Sequence, residues 1–126
     1  MPLATPGEAP SPVASTVPTG WVSVKVVIGR KATMHGVEVG NEMGVNTWAA
    51  FAGSDDNAVV DGDFAMLEGE LQTVLKTMRG DGINIVAIHQ HMAEESPRYL
   101  FLHYWGKGKA IDLARAVKKA VDMQRL

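Results

Sequence analysis

Five of the six prolines stand within the first 18 residues (Pro2, Pro6, Pro10, Pro12 and Pro18), among Ala, Ser, Thr and Gly. Proline lacks the amide hydrogen that helices and sheet ladders need. This stretch also has a single charge, Glu8, and no apolar block, so it cannot bury enough surface to offset chain entropy. Residues 1–20 therefore read as an extended tail or linker, and one folded domain is expected over 21–126, opening at Trp21.

Within that domain the pattern is first strand-like. Val22, Val24, Val26 and Ile28 alternate with Ser23, Lys25 and Val27 up to Gly29. A second strand is expected over Ala32–Val39 and a third over Asn46–Ala52, closed by the turn residues Gly53-Ser-Asp-Asp-Asn57. A fourth covers Ala58–Ala65, with Asp61 and Asp63 two apart and hence on one face. Leu67, Leu71, Val74, Leu75 and Met78 follow helical spacing over Leu67–Arg79, with Gly80 as the stop. Strands are then expected over Ile83–Met92 and Arg98–Trp105, joined by Ala93-Glu-Glu-Ser-Pro97. Ile111, Ala114, Val117 and Val121 mark a final amphipathic helix. The order ββββαββα predicts an α+β fold, a mostly antiparallel sheet of about six strands with two helices packed on one face.

Composition removes several chemistries. With no cysteine there is no disulfide, thiolate metal site, iron–sulfur cluster or cysteine nucleophile, so a metal would need histidine, carboxylate or methionine. No run of 18 apolar residues exists, so no membrane-spanning helix is expected. A net charge of −2 gives no basic signal for nucleic acid. The first residues lack the basic start and apolar stretch of a secretory leader. Charge is uneven: eight acids and no Lys or Arg lie between Ala32 and Leu75, while Lys107, Lys109, Arg115, Lys118, Lys119 and Arg125 crowd the end. Two solvated surfaces, a cation-attracting mouth or a self-complementary dimer would each account for that.

Three of the four histidines fall in the last hairpin, in Ile88-His-Gln-His-Met92 and Leu102-His-Tyr-Trp105. On a strand, His89 and His91 project from the same face. Whether His103 joins them depends on register. If partner numbers across the hairpin add to an even value such as 190, His103 lies diagonal to His89 on that face; an odd value sends it to the other. Three imidazoles with a carboxylate or water suit a divalent transition metal: Zn, Cu, Fe or Ni. Glu95, Asp61, Asp63, Glu42 and His35 are candidates for the remaining position, and Asp61, Asp63 and Glu95 for a general base if the site is catalytic. His89-x-His-x-x-x-Glu95 copies the first half of a cupin motif, but no second half follows. Met43, Met66 and Met92 read as packing residues rather than soft ligands. Gly106-Lys-Gly-Lys109 lacks the pattern of a phosphate loop, and no Gly-x-Ser-x-Gly occurs. A row of Trp48, Tyr104 and Trp105 would suit a carbohydrate-binding module instead.

The blocks Asn41–Gly53, Val59–Phe64, Ile83–Met92, Pro97-Arg98 and Phe101–Gly106 resemble the LppY/LpqO family, bacterial domains of unknown function often exported or lipid-anchored. The resemblance spans roughly Val22 to Val121. It implies histidines at His89, His91 and His103, and a bacterial, periplasmic or extracytoplasmic setting. Relatives often have two related halves, so it also implies that this shorter chain forms a homodimer. The expected ligand is a small molecule or a cell-envelope component. No reaction comes with the resemblance. A metal-binding domain with a His89–His91–His103 site is the leading expectation, with a metal-dependent hydrolase or oxidoreductase and a carbohydrate module as alternatives.

Overall fold

The computed structural model describes residues 22–124, so the proline-rich segment lies outside the described residues. Eight strands and two helices follow in the order β1 (Val22–Gly29), β2 (Ala32–Met34), β3 (Val37–Val39), β4 (Asn46–Gly53), β5 (Ala58–Leu67), α1 (Leu71–Gly80), β6 (Asn84–His89), β7 (Glu95–Ser96), β8 (Tyr99–Gly108) and α2 (Ala110–Asp122). The α+β class and the antiparallel pairing agree with the sequence. The single sheet does not: a five-stranded sheet runs β1-β4-β5-β8-β6, and a separate three-stranded sheet runs β3-β2-β7.

The extra strands have a local cause. His35 (φ 51°) and Gly36 (φ 80°) both take positive φ and make a two-residue hairpin between Met34 and Val37. What reads as one strand over 32–39 is therefore two. Glu95-Ser96, expected as a connection, pairs with Met34 and Thr33. The first helix also starts later than its apolar spacing suggests, because Glu68–Glu70 form a 3-10 turn. There Glu70 Oε1 accepts the Leu67 amide hydrogen at 2.8 Å and the Arg30 guanidinium at 2.6 Å. Arg30 is buried, its guanidinium also donates to the Ala65 carbonyl, and it lies 5.2 Å from the Tyr99 ring.

The large sheet separates two cores. Even-numbered β5 and β8 residues (Val60, Phe64, Met66, Leu102, Tyr104) face the helices and pack against Val74, Met78, Leu113, Val117 and Ala120. Odd-numbered residues face the other way. Ala65, Tyr99 and Phe101 on that second face are covered by Ala32, Val39 and Val45 of the small sheet and its connection. The cover extends over only one end. Beyond it, Asp61, Val59, Trp105 and Lys107 meet solvent.

Gly62 fixes how the central strands meet. The Tyr104 hydroxyl crosses it to donate to the Trp48 carbonyl at 3.1 Å, and a Cβ at position 62 would overlap both oxygens. This explains the Asp61-Gly-Asp63 sequence: the glycine serves the helix side while its neighbours serve the open side. Gly62→Ala is expected to destabilise the fold by about 3 kcal/mol, the upper range for overpacking, read as a lowered urea midpoint with unchanged slope.

Candidate metal centre

The β6–β8 register decides where the histidines point. Partner numbers total 189 at Asn84↔Trp105 and Ile85↔Tyr104, then 190 at Ala87↔His103, Ile88↔Leu102 and His89↔Phe101. A bulge at Val86 makes the change. Had the first register continued, His89 would stand opposite Leu100 and face the helices. The extra residue turns it to the open face with Phe101 and His103. β6 ends at His89, three residues short of the expected end at Met92, so His91 lies in the following loop. It stays with the group by packing: its ring stacks on Phe101 at 3.5 Å between centroids and on His89 at 5.1 Å. Gly44 makes room for it, since a Cβ there would lie 3.2 Å from His91 Nδ1.

Asp63 is the hub. It sits on β5 directly opposite His103 on one side and Trp48 on the other, and only 5% of it is exposed. Its Oδ1 is 3.5 Å from His89 Nε2 and 3.7 Å from His103 Nδ1, and its Oδ2 is 3.7 Å from His91 Nε2. Oδ1 is buried without a hydrogen-bond partner. Burial raises the Asp63 carboxyl above the ordinary carboxylate range, against the opposing pull of His89, His103 and His91. Asp63, His89 and His91 present ligand atoms within 4.8 Å of one another, a group that could hold a metal ion.

His103 stands beside this trio. Its Nε2 is 2.9 Å from Asp61 Oδ1. A carboxylate only accepts, so Nε2 carries the hydrogen, and in the neutral ring Nδ1 keeps its lone pair on the side of Asp63. Trp48 packs edge-on against the His103 ring at 6.1 Å, and Lys25 lies 4.7 Å over the Trp48 ring.

The other candidates are elsewhere. Glu95 is buried on β7 opposite Met34, with Oε2 unpartnered, and is outside the trio. His35 pairs with Glu94 at 3.1 Å on an exposed turn, and Glu42 is exposed. Met66 is buried on the helix side, Met92 packs in the second core and Met43 is exposed. Tyr104 is buried toward the helices, where burial, Asp61 and Asp63 all raise its pKa, so it cannot form an exposed row with Trp48 and Trp105. Asp61 and Asp63, marked in the sequence because carboxylates are poor strand formers, both stand on β5 beside His103. Their division of labour depends on how far the small sheet reaches.

The family described as Domain of Unknown Function (DUF1259) matches residues 14–123. No curated protein and no solved structure matches the chain.

The raised Asp63 pKa carries a sign. Its folded value lies above its unfolded one, so in metal-free protein the burden of the buried charge is present at neutral pH and disappears on acidification through the folded pKa. With a chelator present, Asp63→Asn should therefore be more stable than wild type at pH 7, by about 1 kcal/mol for removing a buried charge, the low end of the cost of desolvating an unpaired group. That gain should shrink toward pH 4. Paired urea titrations at several pH values check it.

Proposed function

We propose that this chain, which belongs to the Domain of Unknown Function (DUF1259) family, binds one divalent transition-metal ion through Asp63, His89, His91 and His103. The observation that carries the reading is the Asp63 carboxylate: buried, unpartnered at Oδ1, and approached by three imidazoles at 3.5–3.7 Å. Those separations are long for hydrogen bonds. They suit ligand atoms sharing an ion, which stand about 3.4 Å apart around a tetrahedral centre with ~2.1 Å bonds. His103 would ligate through Nδ1, with Asp61 holding its other nitrogen, as carboxylates commonly do behind a ligating histidine. Imidazole and carboxylate donors favour Zn, Cu, Fe or Ni over Ca or Mg. Bound there, such an ion supplies Lewis acidity or redox chemistry, so a metal-dependent hydrolase or oxidoreductase is the second reading. It is favoured by the solvent-facing Asp61, a carboxylate placed to move a proton beside the group.

Metal content tests the assignment. Wild-type protein incubated with zinc and desalted should retain about one equivalent. Asp63→Asn and His91→Gln should each lose most of it, and His35→Gln none. Full zinc content in both site variants would refute the ligand set.

We also propose that the protein belongs with the LppY/LpqO group in an extracytoplasmic compartment, supported by the sequence blocks given above. No helix among the described residues is long and apolar enough to cross a membrane.

The partner we propose is a second copy. β1 is an edge strand of eight residues with one charge, Lys25, and neither proline nor bulge to blunt it. Val24 and Val26 are each 50% exposed. With Phe51, Val117 and Val121, Val26 borders an apolar groove of about 360 Å³ between β1 and α2. Antiparallel pairing of two β1 edges would satisfy the unpaired backbone and cover the valines. Sedimentation at tens of micromolar should give twice 13.5 kDa, and Val26→Lys half of that; a wild-type monomer would rule the dimer out.

A further inference from the structure

We propose that the bound ion is a latch: through His91 it docks β7 onto β2, so metal occupancy sets whether the stretch Met92–Ser96 is closed or open. The inference rests on the metal reading and gives that site a conformational output.

β7 is poorly supported for a strand that covers a core. It is two residues long, stands at the edge of the small sheet, and pairs with Met34 and Thr33 of β2. Met34 stands two residues along β2 from the buried Ala32, so it and its partner Glu95 point between the two sheets. Glu95 is accordingly only 8% exposed, and its Oε2 is buried without a hydrogen-bond partner. A polar group in that position loses hydration when β7 docks and recovers it when β7 leaves.

The backbone adds a second cost. Among the described residues, the non-glycine positions with positive φ are His35 (51°) and Glu94 (62°), and they flank the Met34–Glu95 pair on the same side. A side chain with a Cβ is disfavoured there. Their ion pair at 3.1 Å is solvated on both sides and offsets little of this. The Thr33 hydroxyl, which donates to the Ser96 carbonyl at 3.3 Å, is exposed as well. The apolar anchor of the stretch is Met92, half-buried against the second core. Few buried apolar groups and solvent-exposed hydrogen bonds mark an element that opens locally. β2 and β3 are better held, by buried Ala32 and Val39 and by the Tyr99 hydroxyl donating to the Lys31 carbonyl at 3.0 Å. β7 can therefore leave while they stay.

The ion supplies what β7 lacks. His91 stands four residues before Glu95 and meets the large sheet by stacking on Phe101 and His89 and by a 3.7 Å approach to Asp63. An ion shared with Asp63, His89 and His103 would pin it to β5, β6 and β8 at once. Only residues 92–94 then separate a fixed point from β7, and a short link costs little entropy to close. An ion that binds better when His91 is held in this way shifts the equilibrium toward the docked arrangement.

Hydrogen exchange read by mass spectrometry, with zinc and with chelator, tests the latch. Zinc should slow exchange over residues 92–98 by about tenfold or more and leave β4 unchanged. Three glycines inserted after Ala93 lengthen the link to β7 without touching a ligand. That variant should keep its zinc and lose the zinc-dependent slowing. Wild type that retains one equivalent of zinc with unchanged exchange over 92–98 overturns the latch and leaves the metal reading intact. An insertion variant slowed as much as wild type does the same. Wild type that retains no zinc overturns the metal reading and the latch together, and the zinc content of the same samples tells the two failures apart.

Discussion

A carboxylate buried in the middle of a sheet face costs free energy that its surroundings must offset. Asp63 is that carboxylate, and the site is organised around it. Its strand is paired along its whole length with β8, so the side chain cannot swing to water without breaking the centre of the sheet. The neighbours that meet it are three imidazoles delivered by different devices: His103 by direct cross-strand pairing, His89 by a bulge, and His91 by stacking on Phe101. None of the three satisfies Oδ1 with a hydrogen bond. Stability alone would favour an apolar residue at this position, which is why the cluster reads as a site.

The fold positions the cluster by covering one face of the sheet unevenly. The helices cover the β5 and β8 part of the first face and leave β1 partly open. The small sheet seals only the Ala65–Tyr99–Phe101 end of the second. Asp63 lies at the boundary, with a dry core on one side and the solvent-facing Asp61 and Trp105 on the other. Side chains on the dry side are locked by packing: Arg30 by Glu70 and the Ala65 carbonyl, and the Ala65 amide by the Thr47 hydroxyl. A site at such an edge has rigid ligands and an open approach, the combination that binding of a small partner needs.

Much of this is legible in the residues. Alternating valines give β1, the helical spacing gives α1 and α2, and the His-x-His pair with a third histidine on the next strand marks the hairpin. The even register that brings His103 to the face of His89 can be framed from sequence, but only as one of two options. The choice is made by the Val86 bulge, which has no glycine or other local mark. Positive φ at His35, uncommon for any residue but glycine, hides the β2–β3 hairpin for the same reason. Asp61 and Asp63 look equivalent on the page. Only the reach of the three-stranded sheet buries one and exposes the other. The Arg30–Glu70 pair joins residues 40 apart, beyond what periodicity can register.

The proposed site requires a single ion sitting between Asp63 and its imidazoles. Anomalous diffraction from zinc-soaked crystals, recorded on both sides of the absorption edge, addresses it most directly. The expected result is one strong peak about 2.0–2.2 Å from the His89 and His91 Nε2 atoms and from an Asp63 oxygen. Saturating zinc that leaves this position without a peak, or that appears only elsewhere on the molecule, would contradict it.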